Sequence, residues 1–419
     1  LKKKNQKTFS NWATLYPEMP QPDHQKFFAF FSKKKAFLRL CQNDRSQAMP
    51  SLPRIRKNSW SGSILVALAL WAATRLIFLA IGAYSFRLNG DAIPWVNMWV
   101  QWDSGYYLSI AKHGYQLPIA VTGSETGQSN INFFPFTAIL IAAVHVFVRW
   151  WQLAGVVAAN ICLLIAAAVL HRLSAVRYDI NTADWSVLSL MALPGSFALS
   201  GPLSEAPFLV LSISAAYFAG RRSSMFAVSS GLLTITRLTG IFQGMGFALD
   251  WLIDRARGKD ATYRRFLPIC LIPLPLLVLL VYMFALSGDA LAPLHSNVVF
   301  WRQEFGIPFH CLFLFATSAA PQLEIQSAVA LILLLITLSQ AWRFSYGELF
   351  FLIASVASFS SSGSASPSLI RYTIGLYPVH IAVGRLCGRH SAVRLLCLCL
   401  ALAGAAIAAQ WFRGTDLYV

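Results

Sequence analysis

The sequence predicts an all-α polytopic transmembrane bundle, and three observations carry that prediction. Of 419 residues, 56% are hydrophobic and 12% charged, with a mean hydropathy of +0.56. Soluble domains hold about 25% charged residues, so an ordinary soluble enzyme is excluded. Apolar stretches of roughly 16 to 25 residues recur from Ser61 to Trp411, each long enough to cross or nearly cross a bilayer. The period-two alternation of an outer-membrane barrel is missing from runs such as Leu331 to Leu338.

Charge placement then orders the elements. Residues 1–58 hold 13 Lys or Arg against Glu18, Asp23 and Asp44, so +10 of the net +17 lies in this stretch. It reads as a disordered cytoplasmic extension or as sequence upstream of a start at Met49, with contact to anionic lipid a further reading. No nucleic-acid module is recognisable in it, so no nucleic-acid partner is expected. Residues 59–419 form the membrane domain. Its basic loops, at Arg172 and Arg177, Arg221 and Arg222, 255–265, Arg343 and 385–394, are expected in the cytoplasm.

The first apolar segment, 61–84, then delivers an outer loop at 87–130, within which Trp95 to His113 reads as an amphipathic juxtamembrane helix. Residues 131–148 fit a partly embedded element, because a full crossing would invert every later loop. Crossings follow at 152–170, 185–199 and 206–219. Residues 225–250 have basic flanks at both ends yet are too short for two spans, which suggests a broken helical hairpin turning at Arg237 to Gly240. Segment 266–286, a second outer loop at 287–320, and segments 323–341, 347–361, 369–386 and 394–411 complete about 8 to 11 membrane helices. The seven cysteines show no metal or disulfide spacing.

Asp103 is the most informative single residue. At helical spacing its neighbours are Trp99, Val100, Tyr106 and Tyr107, so no local cation neutralises it. A carboxylate among aromatics at the bilayer surface requires a distant partner or a task. The aromatics Trp95, Trp99, Trp102 and Tyr106 suit an interfacial anchor. Arg75, inside the first span, must find a partner, and Glu205 is a candidate for it or for Arg237. Asp103 has no acidic neighbour in sequence closer than Asp91, so neither a metal nor another cofactor is expected.

The run Trp102-Asp103-Ser104-Gly105-Tyr106-Tyr107, continuing through His113-Gly114-Tyr115 and followed by Asn132-Phe133-Phe134-Pro135, resembles the first luminal loop of the PIG-V-like group. These are GPI mannosyltransferase 2-like enzymes and their bacterial relatives, within the GT-C membrane glycosyltransferases. Ser204-Glu205, Arg237 with Gly240, and Arg371-Tyr372 ahead of Tyr377-Pro378 match in order, over residues 62–411. The resemblance implies a GT-C-like fold and inverting transfer of a sugar, mannose foremost, from a polyprenyl-phosphate donor. The acceptor would be a hydroxyl of a glycan, lipid or protein on the outer side of a bacterial plasma membrane. Asp103 would be the base, Arg237, Arg371 and Tyr372 would hold the donor phosphate, and Trp102, Tyr106, His113, Asn132 and Glu205 would line the substrate site. For each arginine a structural ion pair is the alternative. Trp301, Arg302, Gln303, Glu304 and Asp289 are weaker candidates for acceptor contact. A transporter or lipid flippase would also explain intramembrane arginines and a broken helix, and a non-catalytic subunit of a membrane complex is the third reading.

Overall fold

The computed structural model describes residues 59–117, 129–221, 223–259, 263–301, 306–316, 321–361 and 368–414. The basic extension before Ser59, part of the first outer loop, and Arg302, Gln303 and Glu304 lie outside these residues. The described chain is helical: α1 (Trp60–Arg87), α2 (Ser104–His113), α3 (Pro135–His145), α4 (Trp151–Arg177), α5 (Ile180–Ala192), α6 (Glu205–Gly220), α7 (Met225–Thr234) and α8 (Gly240–Ala256) come first. They are followed by α9 (Tyr263–Cys270), α10 (Leu274–Ser287), α11 (Ala292–Trp301), α12 (Pro321–Leu338), α13 (Tyr346–Phe359), α14 (Leu369–Ile374), α15 (Tyr377–Arg389) and α16 (Ser391–Phe412).

Four stretches among the described residues are long and apolar enough to cross a bilayer alone: α1, α4, Phe266–Ser287 and α16. The remaining apolar helices are shorter, and the segments 185–199 and 369–386 are each broken rather than continuous. Of the four long stretches α4 is by far the most buried, which makes it the central column. Ala154, Gly155, Ala158, Ala159, Ala166 and Ala167 let neighbouring helices approach it closely. On α1 the small and polar residues Ser63, Ala67, Thr74, Arg75 and Gly82 face inward, whereas Leu65, Leu76 and Ile77 are exposed. That inverted amphipathicity suits lipid on the outside.

The two segments that resisted simple crossing are short or broken. Helix α3 has 11 residues, about 16 Å of length, half of a hydrocarbon core of about 30 Å. The hairpin α7–α8 breaks between Thr234 and Gly240. The Ile235 carbonyl, freed by the break, accepts the Phe136 N–H at 3.1 Å. Only glycine fits at 240, because a Cβ would collide with the Leu233 carbonyl.

One expectation needs correction. The segment Trp95 to His113 is not one helix: a 3-10 turn covers Asn97–Trp99 and regular helix starts at Ser104. Met98 and Trp99 are buried against Phe78, Phe197 and Phe412, so Trp99 packs in the core rather than at an interface. Within 287–320, where the second outer loop is expected, the described residues include α11 and a 3-10 turn at His310–Ala316.

Basic side chains gather at one end of the bundle. Arg385 stacks over Tyr178 at 4.2 Å, the Tyr178 hydroxyl donates to the Arg343 carbonyl at 3.1 Å, and Arg257 donates to the Tyr346 hydroxyl at 3.1 Å. Helix α13 starts there, and its last residue, Phe359, packs against Tyr372 with ring centroids 5.6 Å apart. Its 14 residues separate the two levels by about 21 Å.

Candidate active site

The site is built around the connection that follows α5. Residues Ser196–Ser200 form a 3-10 turn. Arg75 holds this turn: its guanidinium donates to the Ser200 hydroxyl at 2.7 Å and to the carbonyls of Ser196 at 3.1 Å and Met191 at 3.2 Å. Asn160 completes the knot, taking the Ser200 hydroxyl at 2.9 Å and the Trp71 indole N–H at 2.9 Å on its Oδ1. The buried charge of Arg75 is thus met by backbone and hydroxyl dipoles, and Glu205 is not its partner. Beyond the turn, Gly201 lies so close to the Trp99 carbonyl that a Cβ would stand 2.7 Å away. This contact fixes the segment around Trp99 against the connection that leads into α6, which carries Glu205.

From Trp99 the chain reaches Asp103 through Trp102, whose φ of +54° is left-handed. That conformation is uncommon for a bulky residue and costs about 1–3 kcal/mol, a strain typical of functional sites. It turns the chain so that Asp103 sits at the N-cap of α2, but the carboxylate makes no capping bond. It reaches Arg371 instead, with Nη2 to Oδ2 at 2.6 Å.

Arg371 is the centre of the constellation. Its Nε lies 3.1 Å from Glu205 Oε1, and the same oxygen accepts from Arg237 Nη2 at 2.9 Å. The order Asp103, Arg371, Glu205, Arg237 therefore alternates in charge and sums to zero. Arg237 lies over the Tyr372 ring at 4.3 Å, and Arg371 lies 5.2 Å from the same centroid. Arg371 and Glu205 side chains are 2% and 1% exposed, whereas Asp103 and Arg237 reach 26% and 20%. The chain thus has two interior members and two at the accessible side. Among the described residues, Arg371 Nη1 and Glu205 Oε2 have no hydrogen-bond partner, so the network retains unused donor and acceptor capacity.

Five of the nine residues singled out in the sequence, Asp103, Glu205, Arg237, Arg371 and Tyr372, come together. Trp102 is exposed beside them, and Tyr106 stacks on Phe133 at 4.7 Å. Asn132 is half-buried in a 3-10 turn. His113 is exposed at the far end of α2, about 15 Å along the axis from Asp103. Asp289 pairs with His295 at 2.7 Å rather than joining the network.

Sequence reasoning passed over Tyr107. Its buried hydroxyl shares a hydrogen bond with Ser204 and feels the charges of Arg237, Glu205 and Asp103. Burial pushes this phenol well above its ordinary range, so it stays neutral. Its place one residue after Tyr106 gave no sign of which ring turns inward. Among the described residues no three His, Cys, Asp or Glu side chains group in a way that could hold a metal ion.

No protein-family model matches the sequence, and no curated relative matches it. Among solved structures, the chain is similar to the archaeal oligosaccharyltransferase AglB from Archaeoglobus fulgidus, in complex with an inhibitory peptide and a dolichol-phosphate. That match has a TM-score of 0.51 at 13% identity, covering 84% of this chain and 56% of that one. A second match is ArnT from Cupriavidus metallidurans bound to undecaprenyl phosphate, with a TM-score of 0.49 at 15% identity, covering 81% of this chain and 62% of that one. The chain therefore spans less than two thirds of the length of either. At such identities the likeness to AglB is one of fold alone, an all-helical, GT-C-like polytopic membrane fold.

Proposed function

We propose that this protein is an inverting membrane glycosyltransferase of the PIG-V-like group. It transfers a sugar, mannose foremost, from a polyprenyl-phosphate donor to an acceptor hydroxyl on the extracytoplasmic side. The observation that carries this reading is the alternating network Asp103–Arg371–Glu205–Arg237, buried at one side and accessible at the other. The dolichol-phosphate in the AglB complex makes a lipid phosphate a reasonable ligand for a related fold. The gathering of arginines about 21 Å away, at the opposite end of α13, supports an outward-facing site through the positive-inside rule.

The chemistry follows from the charges. The acceptor oxygen attacks the anomeric carbon from the face opposite the phosphate, and the bond from that carbon to the phosphate oxygen breaks with inversion. The hydroxyl proton passes to the Asp103 carboxylate, which serves as a base from about 3 Å. The leaving polyprenyl phosphate gains a negative charge beside Arg371 and Arg237, where fixed cations stabilise it most in the transition state. Glu205 holds the two guanidinium groups at a constant separation, and Tyr372 offers its ring face to both.

The deciding experiment incubates purified protein with undecaprenyl-phosphate mannose and a cell-envelope lipid extract, and follows products by mass spectrometry. A mannosylated product that requires Asp103 supports the reading. A folded protein that transfers no sugar from any polyprenyl-phosphate donor sinks it in favour of a scaffold, and movement of the intact donor across a bilayer favours a transporter.

A further inference from the structure

The resting network poses a problem for the mechanism just given, because the base is already occupied. Asp103 Oδ2 accepts from Arg371 Nη2 at 2.6 Å, so that oxygen is engaged with a guanidinium rather than free to take a proton from an acceptor hydroxyl. Resting on the glycosyltransferase reading above, we propose that the donor phosphate and the Asp103 carboxylate compete for Arg371, so that lipid donor binding releases the base and the site loads donor first.

Three features identify Asp103 as the exchangeable partner. Arg371 cannot easily withdraw, since its helix is fixed on both sides: the Ile370 N–H donates to Gln326 Oε1 at 2.9 Å, and Ile370 and Ile374 pack on Gly195, where even a Cβ would stand 3.1 Å from each. Glu205 is held by two guanidinium groups and its side chain is 1% exposed. Asp103 makes no capping bond and is the most exposed member of the network at 26%, so it regains water on leaving.

Charge counting gives the direction. The four side chains sum to zero, and a phosphodiester brings one further negative charge. If both carboxylates stayed on Arg371, three anions would crowd two cations. If the phosphate replaces Asp103, Arg371 keeps two anionic partners and the carboxylate turns free toward the acceptor. Both of its oxygens are then available to accept from the acceptor hydroxyl. Activation of the base is thereby tied to the presence of donor, which keeps the site from deprotonating an acceptor when no sugar is bound.

The test measures binding of undecaprenyl monophosphate, with undecaprenol as the phosphate-free control, to the full chain in detergent. Wild type, Asp103→Asn, Asp103→Ala and Glu205→Gln are compared, with thermal unfolding of each to establish folding. Removing the competing carboxylate is expected to tighten undecaprenyl monophosphate about threefold to fivefold in both Asp103 variants, the worth of a partly exposed ion pair, and to leave undecaprenol unchanged. Glu205→Gln is expected to weaken the phosphate ligand, because the guanidinium groups lose their spacer. Equal or weaker binding of the monophosphate by folded Asp103 variants overturns the exchange while leaving the transferase reading standing. Tightening of undecaprenol by the same factor also overturns it, since the gain would then come from the lipid tail. If no folded form binds the monophosphate, the phosphate site itself fails, and the transferase reading falls with the exchange.

Discussion

Two ion clusters lie at opposite ends of α13, built from the same kinds of side chain. At the basic end, Glu348 Oε1 accepts from Arg177 and from the Tyr377 hydroxyl at 2.7 Å. Its Oε2 accepts the Ser345 N–H at 3.0 Å, and the Ser345 hydroxyl accepts the Glu348 N–H at 3.1 Å, closing a capping box. Both carboxylate oxygens are satisfied. At the other end, Glu205 uses one oxygen for two arginines, and among the described residues its second oxygen and Arg371 Nη1 are without a hydrogen-bond partner. The difference teaches that burial and opposite charge do not by themselves mark a functional site. A closed cluster has spent its hydrogen bonds on the fold, whereas an open one still has capacity for a ligand.

That contrast can be broken most sharply at Asp103. Replacing it with Asn removes the base and is expected to lower sugar transfer about 10³-fold, a loss in the range of general-base catalysis, while the unfolding temperature changes little. Transfer at the wild-type rate would make the open network as structural as the closed one. Glu348→Ala is expected to do the reverse. Leaving Arg177 without its partner destabilises by about 3 kcal/mol, read as a lower unfolding temperature, while transfer per folded molecule stays within about twofold of wild type.

Smaller effects sharpen the assignment of roles within the open cluster. Arg237→Lys keeps the charge but loses the planar group that lies over Tyr372, and about tenfold weaker donor binding is expected, measured as a rise in donor KM with kcat less affected. A change confined to kcat would move Arg237 from phosphate binding to the chemical step. Tyr372→Phe retains the ring and removes only the 3.5 Å contact of its hydroxyl with Arg371. It is expected to stay within about threefold of wild type by the same assay, given how little a bond of that length contributes.

Much of the fold was legible because its signals are local. Hydropathy gave the helical bundle, and basic flanks around a segment too short for two spans gave the broken hairpin whose turn holds Arg237 and Gly240. The order of short motifs pointed to Asp103, Glu205 and Arg371. What failed was the assumption that helical spacing continues through Trp95 to Asp103. The aromatic spacing fits a helix equally well, yet burial of Met98 and Trp99 against α1 and α16 draws the chain into a 3-10 turn and then a left-handed Trp102. Tertiary packing overrode a weak local preference. His113 lies apart from the network for a related reason, since its place at the far end of α2 leaves it distant from Asp103 along the axis.

By itself the sequence determined that this is a helical membrane bundle with locally uncompensated charges after its first apolar segment and in its broken segments, because hydropathy and charge are properties of neighbouring residues. Only the tertiary structure decided which charges meet. Asp103 and Arg371 are 268 positions apart, and their pairing depends on close approaches at Gly195 and Gly201 that bring α14 and the segment before α2 against the connection before α6. An ion pair is governed by separations of a few ångströms, and such separations are fixed by packing between elements rather than by any pattern within one of them.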